Sequence, residues 1–178
     1  MSSPSDLVRK RIEERGFSLA VAGEENTKNI LAAIAKVEES GKGLLISGDP
    51  GTGKTRLAQA LYWLIPYGYH AFLLGVGFDP EVFSQEYQEY IGGNLYAANL
   101  LLDDIGAESP GNEFGVRTEP VGEFLVRYEA LGTGRILATT NLGYDDFAAR
   151  YGARVASRLR NLFVPLRLLG KDHRTWSI

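Results

Sequence analysis

The chain has 178 residues, a net charge of −3 and no cysteine. That length is the size of one domain, and a domain of this size buries enough surface to build its own core. The absence of cysteine excludes disulfides, zinc–thiolate sites and thiol catalysis. No apolar run approaches the length of a membrane span, and residues 1–16 lack an apolar signal core. We therefore expect a cytoplasmic protein with no membrane partner.

Charge is distributed unevenly along the chain. Residues 57–116 contain eight acidic residues and neither lysine nor arginine, whereas residues 148–178 contain seven basic residues and one acidic residue. Such a separation favours association between unlike faces of neighbouring copies, or attraction of the basic end to nucleic acid. A basic surface that merely faces solvent is the alternative.

Predicted helices and strands alternate along most of the chain. We predict helices at residues 6–15, 24–39, 55–65, 80–91 and 120–131, and one or two short helices over residues 145–160, broken at Gly152. Strands are predicted at residues 44–47, 70–74, 99–103, 136–140 and 162–168, and a loop at residues 106–116. Pro165 predicts a sheet edge for the last strand, because proline cannot donate to a ladder. Apolar strands that alternate with helices indicate an α/β fold with a parallel sheet covered on both faces.

A glycine-rich loop lies between the first predicted strand and the helix that follows it. Its residues are Gly48, Asp49, Pro50, Gly51, Thr52, Gly53, Lys54 and Thr55, which satisfy the pattern G-x-x-x-x-G-K-[ST]. Glycines let the backbone turn its N–H groups toward a phosphate, and the helix start adds its positive dipole end. We expect Lys54 to contact the β- and γ-phosphates of ATP, Thr55 to bind Mg²⁺, and Arg56 to belong to the same nucleotide-binding segment.

Two carboxylates end the predicted strand at residues 99–103. In a parallel sheet the carboxyl ends of the strands lie beside the phosphate loop, so Asp103 is predicted to reach the magnesium ion. Asp104 points to the other side of the strand end and is predicted to polarise the attacking water as a general base. Glu108, in the loop that follows, is a second candidate for that role. Alternatively, the two aspartates cap the turn.

An asparagine ends the next predicted strand. Asn141 follows Thr139 and Thr140, and an amide at this position can hold the attacking water or the γ-phosphate. A turn-forming or capping role is the alternative for an asparagine before a turn.

The segments GDPGTGKT, LLLDDIGAE, TTNL, YGARVASRL and GKDHR together resemble the AAA+ ATPases of the DnaC-type helicase loaders and IstB-type transposition helpers, over residues 42–174. The resemblance implies a P-loop NTPase with an AAA+ core at residues 42–178, preceded by a helical extension at residues 1–41. It implies a five-stranded parallel sheet in the order 5-1-4-3-2. Because only ten residues follow the last predicted strand, we expect the small helical lid to be absent or minimal.

The resemblance also implies roles for individual residues and for partners. Asn141 would be the first sensor, Arg158 the arginine finger that enters a neighbour's site, and Arg174 a late arginine near the nucleotide. Arg154 lies four residues before Arg158 on the same helix face, and surface ion pairs are the alternative for both. Implied partners are further copies of the chain and a replicative helicase or transposase.

DNA binding has weaker support in the sequence. Family members hold single strands with basic and aromatic residues between the second and third strands, and this chain has no basic residue there. Any DNA contact would fall to the basic C-terminal third. The same absence argues against a small-molecule kinase. The sequence favours an ATP-hydrolysing switch for helicase loading or transposition, with an ATP-dependent adaptor of little or no hydrolysis as the alternative.

Overall fold

The computed structural model describes residues 4–62, 70–74, 99–108, 110–113, 116–132 and 134–170. Its helices are α1 (Pro4–Glu14), α2 (Leu19–Ala22), α3 (Glu24–Ser40), α4 (Lys54–Leu61), α5 (Pro120–Leu131), α6 (Tyr144–Tyr151) and α7 (Ala153–Leu162). Its strands are β1 (Gly43–Ser47), β2 (His70–Leu74), β3 (Asn99–Ile105), β4 (Gly111–Glu113), β5 (Val116–Thr118), β6 (Ile136–Thr140) and β7 (Phe163–Arg167). The predicted helix at residues 80–91 lies outside the described residues.

Five parallel strands form the main sheet in the order β2-β3-β6-β1-β7. The predicted α/β class is confirmed, and this order is the predicted one read from the opposite edge. β7 lies at the edge, with Pro165 opposite Leu45 of β1. The prediction of a plain loop at residues 106–116 was wrong, because β4 and β5 pair there as a separate antiparallel ladder.

Both faces of the main sheet are covered, and alternate strand residues face opposite sides. Leu101 belongs to a hydrophobic cluster with side chains of α1–α4. Leu100 and Leu102 belong to a second cluster with side chains of α5–α7. This alternation follows from the two-residue period of a strand, and it explains why β3 is almost wholly apolar.

The helix boundaries follow local chemistry. Gly41 ends α3 in the left-handed conformation with φ 70°, and its N–H donates to the carbonyl of Val37. Gly152, with φ 86°, separates α6 from α7, which confirms the predicted break. The short helix α2 was not predicted.

The N-terminal helices pack into the same core as the phosphate-loop strand. Ile12, Phe17 and Ile30 are buried in one cluster with Ile46 of β1 and Leu57 of α4. The division into residues 1–41 and 42–178 stays a prediction, and the helices before it share a hydrophobic core with the elements after it. The segment from Gly16 to Ala22, which follows α1 and includes α2, is thereby placed at the carboxyl end of the sheet.

Candidate nucleotide site

The phosphate loop connects β1 to α4 at the carboxyl end of the sheet. Gly48, Gly51 and Gly53 have φ values of 151°, 78° and 90°, a range that favours glycine. A Cβ on Gly48 would also lie 2.6 Å from the carbonyl oxygen of Leu168, so the chain after β7 supports the start of the loop. Glycine is required here for both reasons.

Lys54 lies inside the phosphate loop. It is buried, and its Nζ donates to the carbonyl oxygens of Gly48 and Asp49 at 2.8 Å each. The hydroxyl of Thr52 donates to the same Asp49 carbonyl at 2.8 Å. The ammonium group is therefore held at the centre of the loop, where its charge faces any phosphate that enters.

Asp103, Thr55 and Thr139 form a cluster of oxygen atoms below the loop. Asp103 Oδ1 accepts hydrogen bonds from Thr55 Oγ1 at 2.9 Å and from Thr139 Oγ1 at 2.5 Å. Asp103 and Thr139 are both buried. Carboxylate and hydroxyl oxygens are ligands that Mg²⁺ accepts, so the two predicted metal ligands lie together and fit that ion. Thr139 was not predicted as a site residue.

Asp104 and Asn141 meet at the mouth of the loop. Asn141 Nδ2 donates to Asp104 Oδ1 at 2.6 Å, and the backbone N–H of Asp104 donates to Thr139 Oγ1 at 2.7 Å. Asp104 has φ 59°, and the pairing of β3 with β6 shifts register between Leu102 and Ile105. The local irregularity turns Asp103 inward and Asp104 toward the loop, which separates the two carboxylates.

A cavity of about 500 Å³ opens over the phosphate loop. Its walls include Gly51 to Arg56, Asp104 and Asn141, together with Gly16, Phe17, Ser18, Val21 and Ala22 from the N-terminal segment. One side is therefore polar and the other largely apolar, as expected of a site for a small organic ligand with a charged end. The N-terminal wall was missed by sequence reasoning. The start of the loop, Gly48 and Asp49, lines a second cavity of about 490 Å³ between β1, β7 and α6.

Asn26 holds the N-terminal wall to the main sheet. Its Nδ2 donates to the carbonyls of Ala22 at 2.8 Å and Leu169 at 2.6 Å, and its Oδ1 accepts from the N–H of Leu169 at 2.9 Å. Leu169 follows Leu168, the residue whose carbonyl supports Gly48. One buried amide thus connects the apolar wall of the cavity to the support of the phosphate loop.

Of three comparisons with known proteins, the one with solved structures identifies the fold. No protein-family model and no curated protein matches the sequence. The structure of AMPPCP-bound DnaA from Aquifex aeolicus has a TM-score of 0.51 and 20% sequence identity over 83% of this chain and 47% of that one. The structure of NtrX from Brucella abortus in complex with ADP has a TM-score of 0.53 and 16% identity over 92% of this chain and 39% of that one. Both are AAA+ ATPases.

The chain has an AAA+ fold. It spans less than half the length of either of these proteins, and at such identities the likeness establishes the fold alone. The closer resemblance to helicase loaders and transposition helpers stays a prediction. Within the described part of the chain, no helix combines the length and apolar character needed to cross a membrane.

Glu108 is engaged away from the cavity. It is buried, and its Oε2 accepts the N–H of Gly106 at 2.7 Å. Its Oε1 accepts the hydroxyl of Tyr151 and lies 3.3 Å from Nη2 of Arg150. Burial, together with the hydrogen bond to Glu108, raises the pKa of Tyr151, so this hydroxyl remains a donor. Glu108 is absent from the described walls of the phosphate-loop cavity, which favours Asp104 for contact with water.

The predicted arginines differ in their surroundings. Arg158 is half-buried and its guanidinium pairs with Glu129 of α5, which also accepts from Asn161 Nδ2 at 3.0 Å. Arg154 is exposed on the same helix, α7. The surface ion pair considered from the sequence is therefore present at Arg158, and its role in a neighbour's site stays a prediction. Arg174 and the rest of the GKDHR segment after Gly170 lie outside the described residues.

Proposed function

We propose that the protein is an ATP-hydrolysing switch that assembles with further copies of itself through the nucleotide site. The observation that carries the proposal is the convergence of three separate segments on one cavity. The phosphate loop contributes Lys54, the end of β3 contributes Asp104, and the end of β6 contributes Asn141. Asp103 is not among the described residues that line the cavity, but it accepts the hydroxyl of Thr55, which does line it. A structural role alone would not require a buried ammonium, two carboxylates and an amide beside a glycine loop.

ATP would bind with its phosphates on the loop and its base against the N-terminal wall. The ammonium of Lys54 would leave its carbonyl partners for the β- and γ-phosphates. Phe17, Val21 and Ala22 offer apolar surface of the kind that an adenine ring contacts. Thr55 and Asp103 would hold Mg²⁺, which supplies positive charge that offsets the phosphate oxygens.

Asp104 is the proposed general base. Its carboxylate lines the cavity beside Asn141, which fixes the position of one carboxylate oxygen. A water molecule polarised by Asp104 would attack the γ-phosphorus, the bond to the bridging oxygen would break, and Asp104 would receive the proton. ADP and phosphate would be the products.

Arg158 is the proposed arginine finger of an assembly. It lies on α7, whose outer face also carries the exposed Arg154, and it pairs with Glu129 in the single chain. In an assembly it would exchange this partner for the γ-phosphate of a neighbour, where a guanidinium stabilises the charge of the transition state. Arg174 would lie near the nucleotide, following the same resemblance.

The proposed biological task is to load or remodel a DNA-replication or transposition assembly in the cytoplasm, with a replicative helicase or a transposase as partner. DNA contact would use the basic residues of the C-terminal third. One observation favours an alternative, an ATP-dependent adaptor with little or no hydrolysis: Asp104 Oδ1 already accepts the amide of Asn141 at 2.6 Å, so half of the carboxylate is occupied.

The test is ATP turnover measured over a range of protein concentrations, with and without single-stranded DNA. The proposal predicts that the rate per chain rises with concentration, because a neighbour completes each site. Tight ATP binding without turnover would support the adaptor instead. Stimulation by the single strand would support DNA contact, and no change would count against it.

A mixing experiment tests the shared site. Lys54→Ala and Arg158→Ala are each expected to be inactive, but their mixture should recover part of the activity, since one variant retains the phosphate loop and the other retains the arginine. No recovery, with both variants folded and assembled, would refute an arginine that acts in a neighbour's site.

A further inference from the structure

The turn that carries Asp104 is held by groups outside the nucleotide cavity. Asp104 has the only positive φ among non-glycine residues that the structure describes, 59°. Aspartate adopts this left-handed conformation more readily than most residues but still uncommonly, and it persists where neighbouring contacts favour it. The surroundings of this turn therefore decide where the carboxylate points.

Glu108 closes the turn from below. The N–H of Ala107 donates to the carbonyl of Asp104 at 3.1 Å, and the N–H of Gly106 donates to Glu108 Oε2 at 2.7 Å. Gly106 has φ 101°, and a Cβ there would lie 2.5 Å from Leu142 Cδ1. The turn is thus packed against the segment that follows Asn141 and is bonded to a single buried carboxylate.

Helix α6 holds that carboxylate in place. The hydroxyl of Tyr151 donates to Glu108 Oε1, and Arg150 Nη2 donates to the Glu108 carbonyl and lies 3.3 Å from Oε1. Arg150 Nη2 also lies 3.6 Å from Glu119 Oε2, at the start of α5. A buried carboxylate without partners would be costly, so these contacts determine one conformation of the turn.

Both residues of the Asp104–Asn141 pair are therefore connected to the same helix, α6. Asn141 lies three residues before α6 begins at Tyr144, and Asp104 reaches α6 through Glu108. Any displacement of the turn relative to α6 would change the separation of the carboxylate and the amide. Neither Glu108 nor Tyr151 is among the described residues that line the phosphate-loop cavity, so they would act only through the turn.

We propose that Glu108 and Tyr151 are positioning residues for ATP hydrolysis: they fix the turn at residues 104–108 so that Asp104 and Asn141 face the attacking water together. The inference rests on the proposed hydrolysis at this site. It assigns to the glutamate of the DDIGAE segment a role distinct from that of a general base.

Tyr151→Phe tests the positioning role most directly, because it removes only one hydroxyl group, which lies outside the cavity. We expect kcat to fall about tenfold while the Kd for ATP changes less than about twofold, since the phosphate loop is untouched. Glu108→Gln should act in the same direction. Tyr128→Phe is the matched control, because Tyr128 is a buried tyrosine of the same hydrophobic cluster. It should leave kcat unchanged.

A purely structural role would lower the melting temperature of Tyr151→Phe and leave the kcat of the folded protein at the wild-type value. That result would overturn the inference while leaving the proposed ATPase intact. If the wild-type protein binds ATP without turnover, the proposed hydrolysis fails instead.

Amide hydrogen exchange tests whether α6 holds the turn, whether or not the wild-type protein hydrolyses ATP. The N–H groups of Gly106 and Ala107 should exchange about tenfold faster in Tyr151→Phe than in the wild type or Tyr128→Phe, because their acceptors lose a fixed position. Exchange at the wild-type rate would refute the claim that α6 holds the turn.

Discussion

Thr139 bonds to both acidic residues of the site. The loss of folding stability in Thr139→Val can therefore be worked out from these contacts. The hydroxyl donates to Asp103 Oδ1 at 2.5 Å and accepts from the N–H of Asp104 at 2.7 Å. Valine keeps the shape and removes both bonds. Losing a hydrogen bond to a charged group costs about 1.5–3 kcal/mol, and leaving a part-buried N–H without its acceptor adds about 1 kcal/mol, the low end of the range for buried groups. The free energy of unfolding should therefore fall by about 3 kcal/mol.

Urea denaturation measures this change directly. With an m-value of about 2 kcal/mol/M, a loss of about 3 kcal/mol lowers the midpoint by about 1.5 M while m stays constant. Thr27→Val is the control. The Thr27 hydroxyl donates only to the carbonyls of Leu19 and Gly23, which also accept backbone N–H groups, so no buried partner is left unpaired. Its cost should be about 1 kcal/mol. Equal midpoints for the two variants would refute the bridging role of Thr139.

Three further substitutions test other parts of the site. Gly48→Ala places a Cβ 2.6 Å from a carbonyl oxygen and should lower the melting temperature by about 5 °C. Gly152→Ala is the control and should lower it less, because a Cβ at that position, also at positive φ (86°), has nothing within 4 Å. Equal losses would contradict the close approach at Gly48. Asp104→Asn should retain ATP affinity and lose turnover by about 100-fold or more, as the loss of a general base predicts, and wild-type turnover would remove Asp104 from that role. Val21→Arg should weaken ATP binding about tenfold in a titration, because Val21 lines the cavity. Leu131→Arg, at a similarly exposed position, is the control and should leave the affinity unchanged. Equal affinities of the two variants would exclude the N-terminal wall from ATP binding.

The parts of the site that were predicted from the sequence are those whose signal is local. The phosphate loop is a contiguous pattern between a strand and a helix, and its glycines have the positive φ values that the pattern requires. Asp103, Asp104 and Asn141 each follow an apolar strand, and parallel strands bring their carboxyl ends together. Their meeting therefore follows from the fold class.

The parts that were missed depend on contacts between distant residues. Thr139 was visible only as a strand residue, because its bridging role arises from the register shift between β3 and β6. The N-terminal wall depends on Asn26, which bonds to Leu169 in the segment after β7, 143 residues along the chain. The spacing of residues along the chain does not predict either contact. The sequence predicts Glu108 only as a polar residue in a loop. Its burial and its hydrogen bond with Tyr151 are visible only in the structure.

The central claim is that ATP binds this cavity through the phosphate loop, and calorimetric titration with Mg·ATP tests it most directly. The account predicts saturable binding of one ATP per chain to the wild type, and affinity weaker by about 10- to 100-fold for Lys54→Ala, since a charged hydrogen-bond donor is lost. Equal affinity of the two proteins, or no saturable binding to the wild type, would contradict it.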